Sequence, residues 1–187
     1  MKLRVLVDNN TFIDEYFYGE PAVSFLIEEA DKKILFDLGY SDIFLKNAQK
    51  MGVNILDVDF IIFSHGHNDH TWGIQHFIKH ISESGLKRTK IVAHAQIFNE
   101  KTQNGDQIGS IVPEHVISKY FDKQLSKEPV WLSDKLVFLG EIARVNGFEN
   151  KNPIGKVVVN GLEEDDFLMD DSAMVYRARN GLVIITG

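Results

Sequence analysis

The stretch that decides the fold is DFIIFSHGHNDHTWG, residues 59–73. Its first part, Asp59 to Ser64, is a short and almost unbroken apolar run. That is the pattern of a strand buried on both faces. Its second part places three histidines and an aspartate, His65, His67, Asp69 and His70, within six positions. After Gly73, residues Ile74, Phe77, Ile78 and Ile81 recur at the i, i+3, i+4, i+7 spacing of one helix face. The stretch therefore reads as strand, polar cluster, helix. Ligand sites in α/β proteins gather at such C-terminal strand ends.

Outward from this centre the chain alternates strand and helix signals. Leu3–Val7 reads as a strand. AVSFLIEEADKKILFDLG reads as a hairpin turning at Asp31-Lys32-Lys33 and stopping at Asp37-Leu38-Gly39. SDIFLKNAQKMG reads as a helix capped by Ser41, with Ile43, Leu45, Ala48 and Met51 on its apolar side and Gly52 closing it. Thr89–Ala95 is a strand, and Pro113–Phe121 is a helix with Pro113 near its first turn. KLVFLGEI is a strand. Arg144–Asp166, rich in Asn, Gly and acid, reads as loop with one strand, Lys156–Val159. AMVYRARNGLVIITG reads as a closing hairpin with Asn180-Gly181 at its turn. The interleaving implies mixed α/β architecture with sheet cores.

The 187 residues suit one domain. The composition, 44% hydrophobic and 25% charged, is ordinary for a globular chain. A net charge of -7 argues against a nucleic-acid partner, because such binding rests on basic surface. With no cysteine, a disulfide framework, a thiolate metal site and a Cys nucleophile are excluded. No run approaches the roughly 18 apolar residues of a membrane helix, and the N-terminal apolar run ends at Asp8, so no membrane partner is expected and the cytoplasm is the default location.

Alternation along an extended segment delivers His65, His67 and Asp69 to one side. His70 joins them only if the chain turns there, and the helix starting near Thr71 supplies that turn. Imidazole and carboxylate suit zinc, iron or manganese. His65 and His67 can hold one ion, and Asp69 and His70 a second. Two ions roughly 3.5–4 Å apart can share a water and lower its pKa towards about 7, giving a hydroxide nucleophile.

SHGHNDH, with DVDFIIF before it, resembles the His-x-His-x-Asp-His signature of the metallo-β-lactamase superfamily. ILFDLG (34–39) and GLVIITG (181–187) resemble two further strands of that family. The opening VDNN and the MDDSAMVY ending look most like a branch of metal-dependent hydrolases that includes pterin-biosynthesis enzymes. The resemblance implies a four-layer αββα sandwich over residues 1–187. It implies a zinc site of one or two ions, with iron or manganese as alternatives. His65 and His67 match first-metal ligands, and Asp69 and His70 second-metal ligands, with Asp69 also handling a catalytic proton.

Asp37 matches a buried position that orients a ligand histidine, or is a turn residue at a strand end. His94 lines the pocket, or is a satisfied strand-end histidine. Asp170 or Asp171 supplies a further acid, or both belong to an acidic loop. Trp72 stands where the family commonly has glycine, and reads equally as a stack for a ring substrate or as packing. His76 and His80 read as a solvated helix pair and His115 as a surface residue. Lys87, Arg88 and Lys90 form a basic cluster that reads as solvated loop before phosphate site. In this branch the strand ending at Gly187 runs on into histidine-bearing segments. The resemblance thus implies a C-terminally incomplete domain, an unpaired strand edge, and a homo-oligomer as one outcome.

The leading functional expectation is a metal-dependent hydrolase attacking an ester, thioester, amide or phosphoester of a small molecule, anionic or pterin-like. The first rival is a biosynthetic enzyme acting on a dihydropterin or phosphoribosyl substrate. The second is a non-catalytic metal-binding fragment.

Overall fold

The computed structural model describes residues 1–84 and 88–187. Its centre is a six-stranded sheet built from β1 (Lys2–Val7), β2 (Ser24–Glu29), β3 (Lys32–Phe36), β4 (Phe60–Ile62), β5 (Lys90–Ala93) and, beyond a second small sheet in sequence, β8 (Asp122–Leu125). The spatial order is β1-β2-β3-β4-β5-β8. The β1-β2-β3 meander is antiparallel, and β3, β4, β5 and β8 run parallel. The parallel strands point their C-terminal ends the same way, so Asp37 after β3 and Ser64–His65 after β4 emerge side by side.

Three helices pack on one face of this sheet: α1 (Ile43–Lys50), α3 (Ile74–Ser84) and α4 (Glu114–Tyr120). The short α2 (Asn68–Thr71) carries part of the histidine cluster. The burial predicted for both faces of β4 holds. Ile61 joins Leu35, Phe44, Phe77 and Ile91 in the helix-side core. Ile62 joins Phe36, Phe138 and Met174 in the core on the opposite face.

That opposite face is covered by an antiparallel sheet of order β14-β13-β10-β9, made of β9 (Val130–Trp131), β10 (Leu136–Phe138), β13 (Ala173–Ala178) and β14 (Gly181–Thr186). Its outer side is bare among the described residues: Trp131, Leu182 and Ile184 are each more than 60% exposed. The described residues therefore form three layers of the αββα sandwich, helices, central sheet and second sheet. A third, small sheet of order β12-β11-β6-β7 comprises β6 (Lys101–Gln103), β7 (Asp106–Gln107), β11 (Gly155–Val159) and β12 (Leu162–Asp166).

Four local readings are corrected. The first hairpin turns at Ala30-Asp31, because Glu29 already pairs with Lys32, and Ala30 takes the positive φ the tight turn needs. The α1 helix buries Phe44, Asn47 and Ala48, while Ile43, Leu45 and Met51 are half-buried around them. Asn47 faces inward because its amide donates to the carbonyls of Leu6 (2.7 Å) and Tyr18 (2.8 Å). Arg144–Asp166 holds two strands, β11 and β12, paired across Asn160-Gly161. The acidic LEEDD run pairs as a strand because backbone hydrogen bonds to β11 satisfy it while most of its side chains face solvent. In the closing hairpin the turn is Arg179-Asn180, and Gly181 begins the return strand opposite Ala178.

Candidate metal centre

The β4 strand ends at Ile62, and the chain then crosses Phe63 and Ser64 into the cluster. Ligand-capable atoms of His65, His67 and Asp69 all lie within 4.8 Å of one another. The His65 ring centroid is 4.9 Å from that of His67 and 4.1 Å from that of His70. The Nε2 of His70 is 3.2 Å from Asp69 Oδ2. Asp69 thus adjoins both the His65–His67 pair and His70.

The main chain can make this turn because residue 66 is glycine. An ideal Cβ there would lie 2.5 Å from the Ile97 carbonyl oxygen and 2.9 Å from Asp170 Oδ2. Asn68 N–H donates to the Ile108 carbonyl at 2.8 Å, tying the start of α2 to the β6–β7 segment. The β14 strand closes the other side. A Cβ at Gly187 would meet Ser64 Oγ at 2.0 Å and Asp37 Oδ2 at 2.8 Å.

Each histidine has one ring nitrogen held by the protein. His70 Nδ1 is 2.8 Å from Asp37 Oδ2. His65 Nδ1 is 3.0 Å from Ser64 Oγ, which donates to Asp37 Oδ2 at 2.7 Å. His67 Nε2 is 2.9 Å from Asp166 Oδ2. With those nitrogens engaged, His65 Nε2, His67 Nδ1 and His70 Nε2 are the ones that can turn to an ion. Carboxylate partners behind ligand histidines fix tautomer and ring direction in this way. The donor set fits a divalent ion: three imidazole nitrogens and one carboxylate, with no thiolate.

The electrostatics agree with the contacts. Burial opposes charge on His70, but Asp37 and Asp69 outweigh it and push its pKa up to about 10. Burial, together with neighbouring His70 and His67, pushes His65 well below its ordinary value. Burial also resists ionisation of Asp69, yet the hydrogen bond from His70 and the charges of His70 and His65 lower it. Burial resists ionisation of Asp166 too, and His67 and Lys101 overcome it to hold the carboxyl well below its usual range.

The remaining sequence candidates divide sharply. Asp37 is fully buried with φ of 54°, a strained backbone for a non-glycine residue, and its carboxylate also accepts the Ser64 N–H at 2.8 Å. It faces the histidines rather than serving a surface turn. Asp170 accepts the Gly66 N–H at 2.9 Å, whereas Asp171 lines a separate surface pocket with Arg144 and Met169. His94 is buried just after the end of β5 and is not among the three residues whose ligand atoms come together. Its Nδ1 accepts the Gln96 N–H at 3.2 Å and its Nε2 meets Glu141 at 3.3 Å, with burial lowering its pKa.

Trp72 is half-buried. Its indole N–H donates to the Gly109 carbonyl at 2.8 Å and its ring meets Tyr40 edge-on. His115 is exposed, and so is His80, whose Nδ1 meets the His76 carbonyl at 3.1 Å. In the basic cluster, Lys87 lies outside the described residues. Arg88 is committed to the Ser118 and Phe121 carbonyls and to Asp122, at the sheet end remote from the histidines.

Three residues of the site were not singled out in the sequence: Ser64, Asp166 and Lys101. Asp166 lies hidden in the acidic run, and the Asn160-Gly161 pair between VVV and LEEDD was the available hairpin signal. Lys101 and Ser64 carry no signal of their own.

A layered αβ fold with a His-x-His-x-Asp-His turn at its parallel strand ends defines a class of metal-site enzymes. The chain belongs to the metallo-beta-lactamase superfamily, whose profile matches residues 18–171. It is 29% identical over its whole length to the 7,8-dihydropterin-6-methyl-4-(beta-D-ribofuranosyl)-aminobenzene-5'-phosphate synthase of Methanocaldococcus jannaschii, covering 67% of that protein. It is 28% identical to an uncharacterised protein of the same organism, over 92% of this chain and 67% of the relative. Among solved structures it resembles Tm1679, described as a metal-dependent hydrolase of the beta-lactamase superfamily, with a TM-score of 0.78, 26% identity, and coverage of 99% of this chain and 64% of that one. The chain spans about two thirds of the length of these relatives. Membership of the superfamily implies divalent-metal binding. No described helix is long and apolar enough to cross a membrane.

Proposed function

We propose that the chain is a metal-dependent hydrolase in which His65, His67, Asp69 and His70 hold one or two zinc ions. The observation that carries this reading is the anchoring of one nitrogen of each histidine, to Ser64, Asp166 and Asp37, with ligand atoms of His65, His67 and Asp69 within 4.8 Å of one another and His70 Nε2 3.2 Å from Asp69. Bound divalent ions would supply Lewis acidity, polarising the scissile carbonyl or phosphoryl group and making water acidic enough to act as nucleophile near neutral pH.

The chain's own groups have distinct tasks. Asp37 and Asp166 are 0% and 2% exposed at the side chain and orient rings. Asp69 is 32% exposed, so it is the carboxylate of the cluster that can reach a substrate. In the metal-free chain His70 helps to keep it ionised, and in the loaded site it would accept a proton from the attacking water and return it to the leaving group. A cavity of about 190 Å³ lined by Gln96, Glu141, Phe167, Met169 and Asp170 lies beside His67's partner Asp166 and would receive part of a small-molecule substrate.

The test is elemental analysis of protein purified without chelator, followed by an ester, thioester and phosphoester panel. Between one and two zinc ions per chain, lost together with turnover in a His65→Ala/His67→Ala variant, is the expected result. A wild-type chain that retains no ion and turns over nothing sinks the reading. A second reading, a biosynthetic step on a dihydropterin or phosphoribosyl substrate, is supported by the similarity, over this chain and 67% of the relative, to the dihydropterin-ribofuranosyl-aminobenzene phosphate synthase named above. It predicts saturable binding of a dihydropterin with no hydrolysis of the panel.

A further inference from the structure

Lys101 is a fully buried lysine that the hydrolytic chemistry leaves without a task. Its side chain is 1% exposed, in β6 on the small third sheet. Its Nζ lies 2.7 Å from Asp170 Oδ1, and 3.1 and 3.3 Å from the two oxygens of Asp166. Both carboxylates are themselves 2% exposed at the side chain. Taking an ammonium out of water is costly even when it is paired, and apolar replacements of buried pairs are often no less stable. Stability alone is therefore a weak account of this lysine.

The far sides of the two carboxylates supply a better one. Asp166 Oδ2 meets His67 Nε2 at 2.9 Å, and Asp170 Oδ2 accepts the Gly66 N–H at 2.9 Å. One ammonium thus sits behind two anchors, one gripping the ring of a ligand-capable histidine and the other the backbone immediately before it. The two aspartates are four residues apart, at the end of β12 and in the loop after it, where Leu168 takes a φ of 58° and donates its N–H to Asp166 Oδ1 at 2.9 Å. Lys101 is the cation that draws both carboxylates to one point.

We propose that Lys101 is a positioning residue of the metal centre. By fixing Asp166 and Asp170 together it sets the place of Gly66 and the direction in which His67 presents Nδ1. This rests on the reading of the histidine cluster as a metal site. Lys101 also lines the cavity assigned to substrate, but with 1% of its side chain exposed and its ammonium spent on Asp166 and Asp170, its role runs through those carboxylates.

The test is titration of the chelator-treated full chain with Co²⁺, whose visible spectrum reports ligand geometry independently of turnover. Three proteins are compared: wild type, the charge-balanced Lys101→Met/Asp170→Asn, and Lys101→Arg. In the double variant the remaining Asp166 keeps His67, and the amide oxygen introduced by Asp170→Asn can still accept from Gly66, so charge imbalance is not the variable. The expected result is a Co²⁺ affinity lower by on the order of tenfold or more, as for other lost outer partners, with displaced absorption bands and thermal unfolding of the metal-free form near that of wild type. A folded double variant with wild-type affinity and bands overturns the proposal and leaves a plain buried ion pair. Should the double variant not fold, Lys101→Arg decides. It keeps the charge but moves it, so displaced bands support positioning, and a wild-type spectrum with wild-type affinity overturns it. Wild type that takes up no Co²⁺ removes the metal centre itself, and Lys101's role with it.

Discussion

Asp37 joins the backbone of Ser64, the hydroxyl of Ser64 and the ring of His70 in one buried carboxylate. Its partner His70 is held protonated at neutral pH by Asp37 and Asp69, against its own burial. A metal that takes His70 Nε2 must displace that proton. Calorimetry of Zn²⁺ binding at pH 7, in buffers of differing ionisation enthalpy, should therefore show release of about one proton from this group. In Asp37→Asn the release should fall, because the main partner holding the proton is gone. Equal release in both proteins would refute this account of His70. The same shift gives the direction of the pH dependence. The folded-state pKa lies above the ordinary 6.5, so His70 stabilises the metal-free fold fully below about pH 6.5. That contribution is lost as pH rises through about 10. Gly66→Ala tests the backbone beneath the cluster. Its Cβ would press on the Ile97 carbonyl, so loss of metal binding is expected even where circular dichroism shows a folded chain.

At the scale of elements, the histidine motif and its flanking strand and helix were legible because both patterns are local. Buried β4 needs a continuous apolar run, and α3 needs a 3.6-residue period. The β11–β12 hairpin was half legible. Its first strand is apolar, but its second is written in acidic residues whose side chains face solvent, so hydrophobic periodicity is silent there. That strand delivers Asp166 to His67. Asp166→Ala should weaken zinc binding on the order of 10- to 100-fold, measured against a chromophoric chelator. The sheet itself should remain, since the five β11–β12 residue pairs do not depend on that carboxylate. The partners of the three histidines come from residues 37, 64 and 166, and only the first was singled out from sequence. Asp166 stands 99 residues from His67 and leaves no local trace, and Ser64, though next to His65, carries no pattern that marks it.

For the whole molecule, two cores share the central sheet, and they need not respond alike. Phe138 is fully buried between the sheets, beside Phe36, Ile62 and Met174. Phe138→Ala should cost about 3–5 kcal/mol of stability in urea unfolding, the usual penalty for a buried phenylalanine cavity. The bare outer face of the second sheet is a separate matter. Leu182 and Ile184 are exposed on it, and β14 has a partner on one side alone among the described residues. Ile184→Lys should raise solubility and lower light scattering without changing zinc stoichiometry, because the side chain points away from the metal-site core. The layering expected from the resemblance is present in helices, central sheet and second sheet. The single-sequence patterns could anticipate each strand's faces but not which sheet it joins.

The position of Gly187 has a practical consequence for anyone preparing this protein. A side chain there would strike Ser64 and Asp37, so any residue appended after it emerges beside the histidine cluster. A polyhistidine tag fused directly after Gly187 would deliver extra imidazoles to the site being assayed and compete with it for ions. An affinity tag placed before Met1 joins β1 at the far edge of the central sheet, three strands from β4, and leaves the metal count to the chain's own ligands.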